Sequence, residues 1–214
     1  MYWACKTASF AVLAAVLGSA QKADSSRYLD GETGLTFASY TSDNSLTYRI
    51  AVPSRAPNGS YDAVIQIAAP VTMGWAGFAW GGKMANNPLA VAWANGTSNA
   101  VISSREASGY VLPAAYAGAT YTVLSAGTHV NATHWQVTAQ CSGCTSWANA
   151  GAGVQTVNPT AQNTFAIAFA AKPPKTPESN ASAFGIHDGL GRPVFDLAQG
   201  ANANLTAKVK RLQR

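Results

Sequence analysis

The sequence predicts an all-β chain folded as an antiparallel β-sandwich. Three observations carry that prediction. Apolar residues alternate at period two in run after run, the spacing of a half-buried strand. Clusters of glycine, proline and asparagine punctuate the runs, as turns require. Past the start of the chain, only residues 202–212 suggest helical spacing over three turns.

The elements follow in order. Residues 1–20 have the make-up of a secretory signal. Lys6 gives the positive start, residues 7–17 are apolar, and Gly18-Ser19-Ala20 offers small residues for cleavage. The apolar run falls short of the roughly 20 residues that a spanning helix needs. A mature chain starting near Gln21, with no membrane span, is expected. Strands are expected over residues 35–39, 46–52, 63–68, 75–80, 90–94, 100–103, 120–124, 134–139 and 164–170. Turns are marked by Pro57-Asn58-Gly59, Gly81-Gly82, Asn95-Gly96 and Gly151-Ala152-Gly153. Lys172-Pro173-Pro174-Lys175-Thr176-Pro177-Glu178 reads as a surface loop. The expected organisation is a signal over 1–20, one sandwich domain over 21–198 and a basic tail over 199–214.

Composition narrows the function. At 214 residues the chain forms one domain, two at most. With 11% charged and 48% hydrophobic residues, disorder and coiled coil are excluded. The net charge of +5 is local, since Lys208, Lys210, Arg211 and Arg214 crowd the tail. No basic stripe interleaved with aromatics exists, so no nucleic-acid partner is expected. The tail is a candidate electrostatic dock for an acidic partner.

Loss of the signal removes Cys5 and leaves Cys141 and Cys144. An even pair in an exported chain favours a disulfide. A redox-active pair would need a helix N-terminus, and a zinc site a second ligand pair. Gln140-Cys141-Ser142-Gly143-Cys144-Thr145 reads instead as a turn after a strand. Glycosylation sequons start at Asn58, Asn95, Asn131, Asn180 and Asn204. They suit a eukaryotic secretory route and an extracellular destination.

The catalytic inventory is thin. There is no Gly-x-Ser-x-Gly elbow, no phosphate loop and no metalloprotease spacing among the 3 histidines. Nothing brings two of the 9 carboxylates together as glycoside hydrolysis requires. Two residues stand out. Met84 sits in the polar loop Gly81-Gly82-Lys83-Met84-Ala85-Asn86-Asn87, where a core methionine is out of place. His187 sits in Phe184-Gly185-Ile186-His187-Asp188-Gly189-Leu190-Gly191. Glycine loops let the backbone approach a flat ligand, and thioether plus imidazole is an axial pair of electron-transfer haem. Taken alone, these residues favour the plainer reading of a gap-filling methionine and a surface histidine. His129, His134 and Met73 are weaker ligand candidates. Trp80 and Trp93 read as core.

A resemblance changes that weight. Residues 74–147 resemble the cytochrome domain of fungal cellobiose dehydrogenase, a secreted haem b domain of the iron-reductase type. Gly81-Gly82-Lys83-Met84 resembles the segment that ends in the methionine ligand. Leu89-Ala90-Val91-Ala92-Trp93-Ala94 resembles the apolar strand after it. Arg105-Glu106-Ala107-Ser108-Gly109-Tyr110-Val111-Leu112-Pro113 with Tyr116, and Cys141-Ser142-Gly143-Cys144-Thr145-Ser146-Trp147, resemble two further signatures. Phe184-Gly185-Ile186-His187-Asp188 resembles the segment that delivers the histidine ligand. The matches keep the family's order from about residue 28 to 198.

The resemblance implies a sandwich that grips one haem b between loops at one end. Met84 and His187 are then the axial ligands. Tyr110 and Arg105 line the pocket or meet a haem propionate, a role suited to arginine's fork of donors. The implied work is single-electron transfer, from a redox partner protein or small reductant to a copper polysaccharide monooxygenase, a quinone or ferric iron. Cellobiose oxidation is not implied, because no dinucleotide fingerprint is present. The rival reading is a haem-free carbohydrate-binding sandwich. A thiol–disulfide protein using Cys141 and Cys144 is a distant third.

Overall fold

The computed structural model describes residues 22–57 and 59–213. The expected signal segment, Cys5 and the sequon residue Asn58 lie outside the described residues.

Alternation becomes strands throughout. In the first half these are β1 Ser26–Leu29, β2 Thr36–Thr41, β3 Thr47–Pro53, β4 Ala63–Pro70, β5 Trp75–Ala79, β6 Leu89–Asn95, β7 Asn99–Glu106 and β8 Ala114–Ala115. There follow β9 Thr120–Val130, β10 His134–Ser142, β11 Ser146–Asn149, β12 Gly153–Thr156, β13 Gln162–Thr164 and β14 Ala166–Ala170. The chain then runs through β15 Gly189–Gly191, β16 Val194–Asp196, a 3-10 turn at Leu197–Gly200, β17 Ala201–Asn202 and helix α1 Leu205–Leu212.

Two sheets form the sandwich. The first runs β1-β2-β3-β4-β10-β9, and the second β15-β14-β5-β6-β7-β8. Their pairings are antiparallel, apart from β17, which lies parallel to the end of β3 at Ala201↔Val52. The expected all-β antiparallel sandwich is the observed fold. Every strand read from the sequence is present. The β11–β12 hairpin turns on Gly151-Ala152-Gly153, as read.

Period two assigns side chains to layers. Tyr48, Ile50, Val52, Ala63, Ile65 and Ile67 of the first sheet meet Ala76, Phe78, Trp80, Ala90 and Ala92 of the second in the main core. Phe78 anchors an aromatic cluster there, 4.8 Å from Phe165 and 5.2 Å from Trp80. Trp80 Nε1 donates to Tyr121 Oη at 3.0 Å. Met73 packs on this core from a partly buried position.

Each sheet is apolar on its outer face as well. Outside the first, Leu35, Phe37, Ala51, Val64 and Leu124 receive Leu205 and Val209 of α1. The region expected as a basic tail is thus a strand and an amphipathic helix docked on the sheet. Two buried apolar residues in register on one helical face hold it down. Outside the second sheet, Trp75, Ala79, Leu89, Val91, Trp93, Ala170 and Phe184 form a separate apolar cluster. This doubling explains why β5 is buried at every position, a pattern of strands covered on both faces.

Cys141 and Cys144 form a disulfide across the turn after β10. Between them Gly143 adopts φ +85°, and a Cβ there would stand 2.2 Å from Gly118 O. Among the described residues, no helix is long and apolar enough to cross a membrane.

Candidate functional site

The outer face of the second sheet floors a cavity of about 580 Å³. Trp75, Gly77 and Ala79 of β5, Leu89 and Val91 of β6, and Ala166 and Ala168 of β14 supply the floor. Small residues keep it flat. A Cβ on Gly77 would meet the Trp75 ring at 3.3 Å. Three loops wall the cavity: 80–88, 107–113 and 171–188.

The first loop carries Met84, which is partly buried and lines the cavity. Its shape comes from asparagines. Asn87, buried, donates from Nδ2 to Lys83 O at 3.0 Å and to Ala85 O at 2.8 Å. Asn149 of β11 donates to Asn86 O at 2.7 Å. The Asn86 amide reaches Ala107 O at 2.7 Å. These bonds satisfy backbone groups that a sheet ladder would otherwise pair.

The second loop carries Tyr110, Val111 and Leu112 along the cavity. Tyr110 is wholly exposed, so it is not a sandwich-core tyrosine. The third loop carries Phe184 and His187. Phe184 is buried with its ring 5.1 Å from that of Trp75. His187 lines the cavity and is partly buried. The next residue fastens the loop: the Asp188 amide donates to Phe169 O at 2.8 Å, and its carboxylate accepts from the Ala171 amide at 2.7 Å.

The structure therefore brings Met84, Tyr110 and His187 to one cavity. Arg105 is placed elsewhere. It is buried, lies outside the cavity lining, and gives its donors to backbone carbonyls and Ser103 Oγ. Burial lowers its pKa from the ordinary guanidinium range, and the carbonyls around it offset that cost. Register puts Arg105 on the same outer face as its β6 partner Leu89, but its guanidinium turns to carbonyls of the 107–113 and 171–188 loops instead of joining the lining. His129 and His134 lie on the first sheet, His129 with Nδ1 3.4 Å from Glu32 Oε2.

Sequence reasoning missed Lys83 and Arg192. Both line the cavity mouth and are exposed, and neither has an ion-pair partner among the described residues. It also missed Trp75 and Phe184. The available signal was the failure of alternation across residues 75–80 and 89–93, runs apolar on both faces. No carboxylate among the described residues lines the cavity. Among the described residues, no group of three His, Cys, Asp or Glu side chains could hold a bare metal ion.

Comparison with known proteins bears on the family and the fold. The chain is 33% identical over 175 residues to a pyrroloquinoline quinone-dependent pyranose dehydrogenase of Coprinopsis cinerea, covering 80% of this chain but 23% of that protein. The chain thus spans less than a quarter of that relative. The crystal structure of the cytochrome b domain of pyranose dehydrogenase from Coprinopsis cinerea is similar, with TM-score 0.77 and 28% identity over 88% of this chain and 95% of that one. The cytochrome domain of Myriococcum thermophilum cellobiose dehydrogenase shares the fold, with TM-score 0.77 and 22% identity over 90% of this chain and 98% of that one. Residues 28–207 match the family described as the cytochrome domain of cellobiose dehydrogenase, and the chain belongs to that family.

Proposed function

We propose that the chain is a secreted electron-transfer domain holding one haem b, with Met84 and His187 as axial ligands. The observation that carries this reading is the convergence of a thioether and an imidazole, from separate loops, on one apolar cavity.

The surroundings fit the group. The volume of about 580 Å³ falls within the 300–1,000 Å³ range of cofactor pockets. The floor is flat and apolar. The indole N–H of Trp75 is buried without a partner among the described residues, and a ligand bearing acceptors suits it. Lys83 and Arg192 at the mouth suit the carboxylates of such a ligand.

Haem b, when bound, supplies an iron that gains and loses one electron. The protein's part follows from its side chains. Met84 and His187 would hold the iron from two loops, and with both engaged a substrate would have no place on it, so the exchange they support would be outer-sphere. The thioether raises the reduction potential. Trp75, Leu89, Val91 and Phe184 exclude water beneath. Tyr110 stands exposed at the cavity's edge.

The donor is a redox partner protein or a small reductant. The acceptor is a copper polysaccharide monooxygenase, a quinone or ferric iron. The signal-like make-up of residues 1–20 supports an extracellular site of action, with the haem-bearing domain starting near Gln21 and running on through the docked helix α1. Asn131, Asn180 and Asn204 are exposed and Asn95 is partly so; with Asn58 they are the glycan positions.

An absorption spectrum tests this. Oxidised and dithionite-reduced protein should show a sharp Soret band, with resolved α and β bands on reduction. His187→Ala should abolish normal binding, and Met84→Ala should leave a five-coordinate or misligated haem. A protein that stays colourless when supplied with haem sinks the reading. Retention on a polysaccharide column would then favour the haem-free module.

A further inference from the structure

We propose that Arg105 is a positioning residue, whose one guanidinium fastens the His187 loop and the Tyr110 loop to the same strand and so sets where the imidazole stands. Its consequence for the haem rests on the reading above.

The loop over 171–188 contains no strand or helix. Its place is therefore set by discrete fasteners. At its start, Trp93 Nε1 donates to Pro177 O at 2.8 Å. At its end, Asp188 is tied to β14 and Ala171. Between them lies Arg105. Its Nη2 donates to Asn180 O at 2.9 Å and to Ser182 O at 2.8 Å. Its Nε reaches Ser103 Oγ at 2.6 Å, and Ser103 itself donates to Asn180 O at 2.5 Å. Its Nη1 lies 3.5 Å from Pro113 O, the end of the Tyr110 loop.

The side chain thus gathers carbonyls from two of the loops that wall the cavity. It has no carboxylate partner among the described residues. Its charge is met by carbonyl dipoles and by the Phe184 ring, 5.4 Å from Cζ. Phe184 also packs on Trp75 in the cavity floor. Gly185, Ile186 and His187 then bridge from this anchor to Asp188. A fork with donors in fixed directions can serve three carbonyls at once, whereas a lysine ammonium on a flexible stem cannot hold them in one geometry. Hydrogen bonds to a charged donor are about twice as strong as neutral ones, so this fastener outweighs the neutral bond from Trp93.

The test uses the full chain as purified with its haem, comparing Arg105→Met and Arg105→Lys. Arg105→Met should unfold cooperatively but lose part of its low-spin spectrum, and added imidazole should restore it. Hydrogen exchange of the Lys175 and Ser182 amides, both bonded within the loop, should speed up about tenfold or more, as loss of charge-assisted bonds predicts. Exchange in β3 and β4 should not move. Arg105→Lys should recover part of both effects. If Arg105→Met does not fold, Ser103→Ala should shift the same amides the same way by a smaller factor.

A wild-type spectrum with unchanged loop exchange in Arg105→Met overturns the proposal. So does acceleration spread evenly over both sheets, which would mark a general stability role. If the wild-type protein binds no haem, the haem reading fails, while the exchange comparison still decides the role of Arg105.

Discussion

Replacing Gly81 by alanine is expected to evict the Asn87 carboxamide from beneath the Met84 loop. A Cβ on Gly81 would stand 1.7 Å from Asn87 Oδ1 and 2.3 Å from its Cγ. The amide cannot stay, so its bonds to Lys83 O and Ala85 O are lost. At about 1 kcal/mol net each, the loss is about 2 kcal/mol. Trp147 Cζ2, 2.9 Å from the same Cβ, adds an overpacking cost of about 1 kcal/mol. Gly81→Ala should therefore cost about 3 kcal/mol and Asn87→Ala about 2 kcal/mol. The double variant should cost about 3 rather than 5 kcal/mol, because both changes break the same bonds. Urea unfolding at constant m measures each corner of the cycle. The absorption spectrum of the haem-loaded protein reports whether Met84 stays in place. Additivity within about 0.5 kcal/mol would refute the shared-bond argument.

Three further outcomes are expected. Changing Cys141 and Cys144 together to serine should cost only about 2 kcal/mol, because the bridge closes a very short loop; comparison of oxidised and reduced unfolding curves measures it. Leu205→Ala should destabilise by about 2–5 kcal/mol, yet leave the absorption spectrum unaltered, since α1 docks on the sheet face away from the cavity. Burial pushes the phenol pKa values of Tyr48, Tyr61 and Tyr121 well above the ordinary range. The unfolded chain therefore releases these protons first as pH rises past about 10, and stability should fall by about 1.4 kcal/mol per pH unit per tyrosine. Stability measured from pH 9 to 11 checks the slope, and a flat profile would contradict the burial.

The sheets were legible because alternation survives wherever one face is wet or the partner layer differs. Residues 46–52 and 63–68 show this directly. The short strands β1, β15 and β16 were not legible. They hold three or four residues each, too few for a period to emerge, and their pairing is set by distant neighbours. α1 was seen as helical spacing but read as part of a tail. Its two buried residues mean little until Phe37, Val64 and Leu124 are seen to lack a cover. At the site, Met84 and His187 stood out because each violated its local context. Arg105 was found but its carbonyl partners were not, since nothing in a sequence says whether a buried guanidinium faces a ligand or a turn of backbone. Asn87 and Asn149 left no mark, because asparagine is common in loops for many reasons.

The docked helix has an electrostatic consequence. Lys210 and Arg211 are exposed on α1, outside the first sheet, whereas the cavity opens outside the second. Packed sheets alone stand about 10 Å apart, and charges in water are screened over about 8 Å at physiological salt. The helix cations therefore have little hold on an approaching molecule at the cavity mouth. Lys83 and Arg192, which line the cavity, supply attraction there. The two basic regions address different sides of their surroundings, and salt should weaken each of them independently.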